Sequence, residues 1–157
     1  MVNFSIKELC ASDTAARLKI DNTPTKEVEK NLLALIDTCL QPMRDKYGSA
    51  IIVSSGYRCP MLNAAINGAK GSQHITGEAA DVVGAWNTLQ QLKMIAKAAL
   101  AVAEYDQLIL EHARGRYWLH VSHKRQGEQR KQLLIFEGSR YKLVNINEFN
   151  AYIDGLH

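Results

Sequence analysis

Cysteine is scarce in these 157 residues, and the three present, Cys10, Cys39 and Cys59, are far apart and odd in number. That excludes a complete disulfide framework and leaves no Cys-x-x-Cys pair of the kind that holds structural zinc. Free cysteines so spaced read as small buried hydrophobes in a reducing compartment, although Cys59 adjoins a segment singled out below. The opening residues, Met1-Val2-Asn3-Phe4-Ser5-Ile6-Lys7-Glu8, lack the basic start and apolar run of a secretory signal, and no stretch approaches transmembrane length. The expectation is synthesis in the cytoplasm without a signal peptide, and no membrane insertion. Repeats, low-complexity tracts and linkers are missing too, which points to one domain over residues 1–157. The net charge of +3 favours an anionic partner only mildly, and the basic residues fall in short groups such as Lys124-Arg125 and Arg130-Lys131. A nucleic-acid binder gathers them on one stripe, so that class is set aside.

What is present is ordinary apolar periodicity, interrupted by a few polar residues in unusual places. Ser12-Asp13 before Thr14-Ala15-Ala16-Arg17 reads as a short helix or turn. After Pro24, the residues Val28, Leu32, Leu33, Leu35, Ile36, Leu40 and Met43 recur at helical spacing up to Tyr47-Gly48, with Pro42 expected to kink or interrupt the helix. Residues 50–53 read as a buried strand, Pro60 to Ile66 as a short helix, 68–78 as a surface loop and 79–83 as a strand. Residues 87–103 form an amphipathic helix pattern. Runs at 105–111 and 117–122 flank the turn-like Ala113-Arg114-Gly115-Arg116 as a hairpin. A strand pair near 132–136 and 140–144 and a helix around 146–154 complete the chain. The pattern predicts an α+β fold with an antiparallel sheet flanked by helices.

Asp81 stands in Ala79-Ala80-Asp81-Val82-Val83, where a carboxylate is costly unless it is paired or binds a metal. His74 lies seven positions upstream, with Thr76-Gly77 between them to let the chain turn. A third ligand would come from Trp118-Leu119-His120-Val121-Ser122-His123. Alternation in a strand puts His120 with Trp118 and Ser122, and His123 with Leu119 and Val121, which favours His120 over His123. His112 and the terminal His157 are weaker candidates. On the partner run, Gln107, Ile109 and Glu111 share a face, so Glu111 can approach His120. Two imidazoles and one carboxylate would leave a fourth position open on zinc, with Glu111 as a proton acceptor nearby. The spacing is equally compatible with structural histidines and an Asp81–Arg58 pair.

The segments Ser55-Gly56-Tyr57-Arg58, Leu62-Asn63, Ser72-Gln73-His74-Ile75-Thr76-Gly77-Glu78-Ala79-Ala80-Asp81 and Trp118-Leu119-His120-Val121-Ser122 occur in order. In this the chain resembles the zinc D-Ala-D-Ala carboxypeptidases and the phage L-alanyl-D-glutamate endolysins, whose metal site is shared with lysostaphin-type peptidases and the hedgehog domain. The resemblance implies zinc bound by His74, Asp81 and His120, and Arg58 on the substrate carboxylate or the scissile carbonyl. It implies Ser72, Trp118 and Tyr57 along the substrate cleft, and Glu111, in Asp106-Gln107-Leu108-Ile109-Leu110-Glu111, as general base. Many relatives carry the acid three residues before the second histidine; Tyr117 stands there, and the preceding strand would supply it instead. The expected activity is hydrolysis of peptidoglycan stem or cross-bridge peptides, as carboxypeptidase or endopeptidase, by a prophage-type lysis enzyme acting on the cell wall after release. The alternative is a zinc-stabilised binding module of the same fold that has lost catalysis.

Overall fold

A computed structural model describes all 157 residues. Its helices are α1 (Ile6–Cys10), α2 (Asp13–Leu18), α3 (Lys26–Leu35), α4 (Gln41–Tyr47), α5 (Pro60–Ala65), α6 (Leu89–Val102) and α7 (Ile146–Asp154). The strands are β1 (Ile51–Ser55), β2 (Ala79–Gly84), β3 (Gln107–Ala113), β4 (Arg116–Ser122), β5 (Gln132–Glu137) and β6 (Arg140–Val144). Most helices start on a side chain that accepts an otherwise unpaired backbone N–H: Ser5, Ser12, Thr25, Thr88 and Asn145, the last completed as a capping box by Glu148. No helix is long and apolar enough to cross a membrane.

The long helical pattern after Pro24 runs to Tyr47 but is interrupted by a π-helical turn at Ile36–Leu40. Pro42 has no N–H to give the carbonyl of Thr38. Glu104 N takes that place, donating to Thr38 O at 3.1 Å, and so ties the helix to the segment that leads into β3.

The six strands form one sheet in the order β1-β2-β4-β3-β5-β6. One face is apolar. Val82, Leu108, Leu110, Leu119, Val121 and Leu133 are buried in one cluster with Leu32, Leu35, Leu40 and Met43 of the first long helix, Leu92, Ile95 and Ala99 of α6, and Phe149 and Ile153 of α7. Removing these side chains from water is the main source of stability, at about 1.5–3 kcal/mol for each fully buried one. Helices cover that face, and the opposite face stays open as the floor of a cleft.

The sheet is mostly antiparallel, as expected, and one pair within it, β3 with β5, runs parallel. The start of that pairing is held by Asp106, fully buried just ahead of β3. Its carboxylate accepts from Arg130 N at 2.7 Å and from the Arg130 guanidinium at 2.6 Å, while its carbonyl accepts from Gln132 N at 2.9 Å. The chain leaving β4 is thereby carried back to the start of β3, and β5 sets off alongside it. Gln73, next to His74, also donates to Asp106 at 3.1 Å, so the same carboxylate anchors the 68–78 loop.

These partners hold the Asp106 carboxyl below the usual range although burial pushes it upward. A depressed carboxyl stabilises the fold above its unfolded pKa, and that contribution fades as pH falls through the folded value. Asp106→Ala leaves the Arg130 N–H and the Gln73 amide without their acceptor and should cost about 2–3 kcal/mol at pH 7. In urea unfolding, the gap between wild type and variant should narrow as the pH is lowered toward 3.

Candidate metal centre and cleft

The β1–β2–β4–β3 register builds the site. Ser55 lies opposite Asp81, Asp81 opposite His120, and His120 opposite Ile109. Alternation along β2 turns Ala80 and Val82 into the core and Asp81 onto the open face. His74 arrives from the loop before β2. Its Nε2 lies 3.3 Å from Asp81 Oδ1, and His120 Nδ1 lies 3.0 Å from the same oxygen.

All three side chains are largely buried: His74 is 2% exposed, His120 10% and Asp81 13%. Burial alone would raise the Asp81 carboxyl. The charge of His74 and hydrogen bonding to both imidazoles outweigh it and hold the group well below the carboxylate range. Two ligands each about 2.0–2.1 Å from a tetrahedral zinc stand about 3.3 Å apart, close to both measured separations. The donor atoms of His74, Asp81 and His120 all lie within 4.8 Å of one another, so the cluster can hold a metal ion. His74 Nδ1 lies 2.7 Å from Gly56 O, an orientation that turns Nε2 toward the cluster.

That bond depends on Gly56. A Cβ there would lie 2.1 Å from Leu9 O, so only glycine lets β1 end against α1 with its carbonyl aimed at His74. The next two residues diverge. Tyr57 N donates to Leu9 O and Arg58 N to His74 O. Consequently Arg58 enters the cleft, whereas Tyr57, expected beside it along the substrate path, is buried in the core and does not line the cleft.

Arg58 Nη1 donates to Asn63 Oδ1 at 3.0 Å, and Asn63 Nδ2 donates to Ala69 O at 3.0 Å. The guanidinium stands 4.0 Å from Asp81 Oδ2, and its Nε is buried without a partner. Ser72 lines the cleft, and its Oγ accepts from His74 N at 3.2 Å. Trp118 lines it as well, and its buried indole N–H, which makes no hydrogen bond of normal geometry, acts on the neighbouring Glu111 carboxyl.

Glu111, paired in register with Trp118, reaches 3.9 Å from His120 Nδ1 and is 12% exposed. Burial, with the Asp81 charge beside it, pushes its carboxyl up to about 7; His120, Arg58 and the Trp118 indole pull the other way. A dication at the neighbouring cluster would draw it down further. His123 is turned from the cluster, its Nδ1 bonded to Glu104 O, and His112 stacks on Tyr117. The cleft has a volume of about 720 Å³. It also takes in Arg114 and, from the last two strands, Leu134, Phe136 and Tyr141, none of which the sequence pattern singled out.

Residues 2–122 match the family model described as Peptidase M15. The chain belongs to that family. Peptidase M15 members are zinc-dependent metallopeptidases acting on cell-wall peptides, and the His74-Asp81-His120 cluster suits that metal in donor type, spacing and buried support. A comparison with curated proteins gives no match. The β5–β6 hairpin and α7 lie beyond the part of this M15 chain that the family model covers.

Two measurements test the architecture. Zinc content after dialysis should fall from about one ion per chain toward none in His74→Ala and in His120→Ala, since each removes one of three ligands. Gly68→Ala would place a methyl 2.1 Å from Asn63 Oδ1 and 2.8 Å from Arg58 Nη1. It should leave zinc content intact and lower peptide hydrolysis by about 10- to 100-fold, because a misplaced charge donor forfeits much of its effect.

Proposed function

We propose that this M15 peptidase hydrolyses a peptide bond in peptidoglycan stem or cross-bridge peptides, with His74, Asp81 and His120 as zinc ligands and Glu111 as general base. The observation that carries the reading is the placement of Glu111. It is a mostly buried carboxylate beside the three-residue cluster, outside the ligand set, and in the same cleft as the Arg58 guanidinium, whose Nε has no partner.

Zinc, when bound, acidifies water and polarises a carbonyl. Glu111 accepts the proton of the attacking water and delivers it to the leaving amine, a role that suits a carboxylate raised by burial. Arg58, fixed by Asn63, offers a positive charge where negative charge grows on the carbonyl oxygen, or pairs with a substrate carboxylate. Ser72 and Trp118 bound the substrate path, and Tyr57 supports the turn that presents Arg58. The net charge of +3 suits an anionic wall polymer, where the enzyme would act after release from the cell.

Glu111→Gln should retain zinc and fold while kcat falls by about 10²–10⁴-fold, the usual contribution of a positioned acid–base group. The assay is hydrolysis of purified peptidoglycan, read as released amino groups beside metal content. If the wild type binds zinc, releases nothing and is indifferent to Glu111→Gln, a zinc-stabilised binding module replaces this reading.

A further inference from the structure

The open face of the sheet does not stop at the metal cluster. In register, His120 is followed across the sheet by Ile109, Leu134 and Leu143, and Trp118 by Glu111, Phe136 and Tyr141. Strands β5 and β6 therefore carry four apolar side chains on the side that faces the cleft. No helix covers them: Tyr141 is 55% exposed and Leu143 63%. Phe136 and Tyr141 pack together with ring centroids 4.4 Å apart. Such a shelf, left in water next to a polar reaction centre, loses the stabilisation that burial would bring.

Its length is also informative. Crossing from β4 through β3 and β5 to β6 takes three inter-strand steps, about 14 Å at about 4.8 Å each. An extended peptide covers that span in about four residues. Arg58 and residues of the 68–72 loop line the same cleft.

We propose that the β5–β6 hairpin is a substrate subsite: Leu134, Phe136, Tyr141 and Leu143 hold uncharged aliphatic residues of a peptide that extends two to four residues from the scissile bond. The proposal rests on the peptidase reading and deepens it. The hairpin selects peptides longer than a dipeptide on that side, so the shelf acts on recognition rather than on the bond-breaking step. Tyr141 is a specificity residue through its ring, which packs on Phe136, while its hydroxyl lies within reach of the Glu111, Asp81 and Arg58 charges.

The test uses N-acetylated stem peptides of two to five residues, nested from each end, with full-length zinc-loaded protein. For wild type, one of the two series should show kcat/KM rising about tenfold or more with length, mainly through KM, as expected for added apolar contact. Tyr141→Ala should abolish that rise and cost the longest peptides far more than the shortest, whereas Tyr141→Phe should keep the rise. Zinc content should be unchanged, and the melting temperature of Tyr141→Ala should fall by only about a few degrees, since Tyr141 is half exposed and loses one contact, with Phe136. Binding of the same peptides to Glu111→Gln, followed by NMR shifts of β5 and β6 amides, gives a readout independent of turnover. Cleavage that is indifferent to length and to Tyr141 overturns the subsite and leaves the peptidase reading in place. Binding of the long peptides through Tyr141, with no cleavage by wild type, keeps the subsite and overturns the peptidase reading. Tyr141→Ala slowing short and long peptides alike also overturns it, since Tyr141 would then serve the reaction centre itself.

Discussion

The structure depends on one buried carboxylate set between two imidazoles. Asp81 sits on β2, inside a sheet whose other face is sealed by helices, with His74 Nε2 at 3.3 Å and His120 Nδ1 at 3.0 Å from one of its oxygens. A charge in that position is tolerable only when its surroundings stabilise it. Much of the chain around it can be understood as meeting that requirement. The register of β2 on β4 delivers His120, the loop before β2 delivers His74, and the β1–α5 turn delivers Arg58. A metal ion bound by these donors would satisfy the same requirement more fully, because a full positive charge would then face the carboxylate.

Around that centre lies a layer of small residues and backbone groups that touches neither metal nor substrate. Gly56 permits the close approach that turns its carbonyl toward His74. Asn63 bridges Arg58 and the Ala69 carbonyl, and Gly68 leaves room for that bridge. Asp106 works at longer range, since it ties the His74 loop, the start of β3 and the entry to β5 to one buried anion. These contacts hold long, rotamer-rich side chains in single orientations before a substrate arrives, which is how an active site avoids reorganisation during reaction.

The cleft joins two regions of different origin in the chain. The metal cluster and Arg58 come from the part that the Peptidase M15 model matches, whereas the apolar shelf comes from the hairpin beyond it. The two parts are structurally separate: side chains on β5 and β6 can change without disturbing His74, Asp81 or His120. The parallel pairing of β3 with β5 brings them into one cleft, because it sets the hairpin next to Glu111 rather than at a remote edge.

Local sequence decided most elements. The helices from Lys26 and Leu89, the hairpin turning at Arg114-Gly115 and the closing helix follow from apolar spacing, caps and turn residues, which act between near neighbours. The choice of His120 over His123 was legible too, since strand alternation alone separates a residue beside Trp118 from one beside Val121. Other features depended on partners distant in the chain. Short helix α1 is held by Gly56 and Tyr57, the π-helical turn by Glu104, and the parallel β5 by Asp106 and Arg130. The placement of Tyr57 in the core instead of the cleft, and of Leu134, Phe136 and Tyr141 in the cleft, belongs to the same class. Periodicity reports which side of a strand or helix is apolar; it carries no information on which strand lies next to it, and that neighbour decides whether an apolar side chain becomes core or the wall of a site.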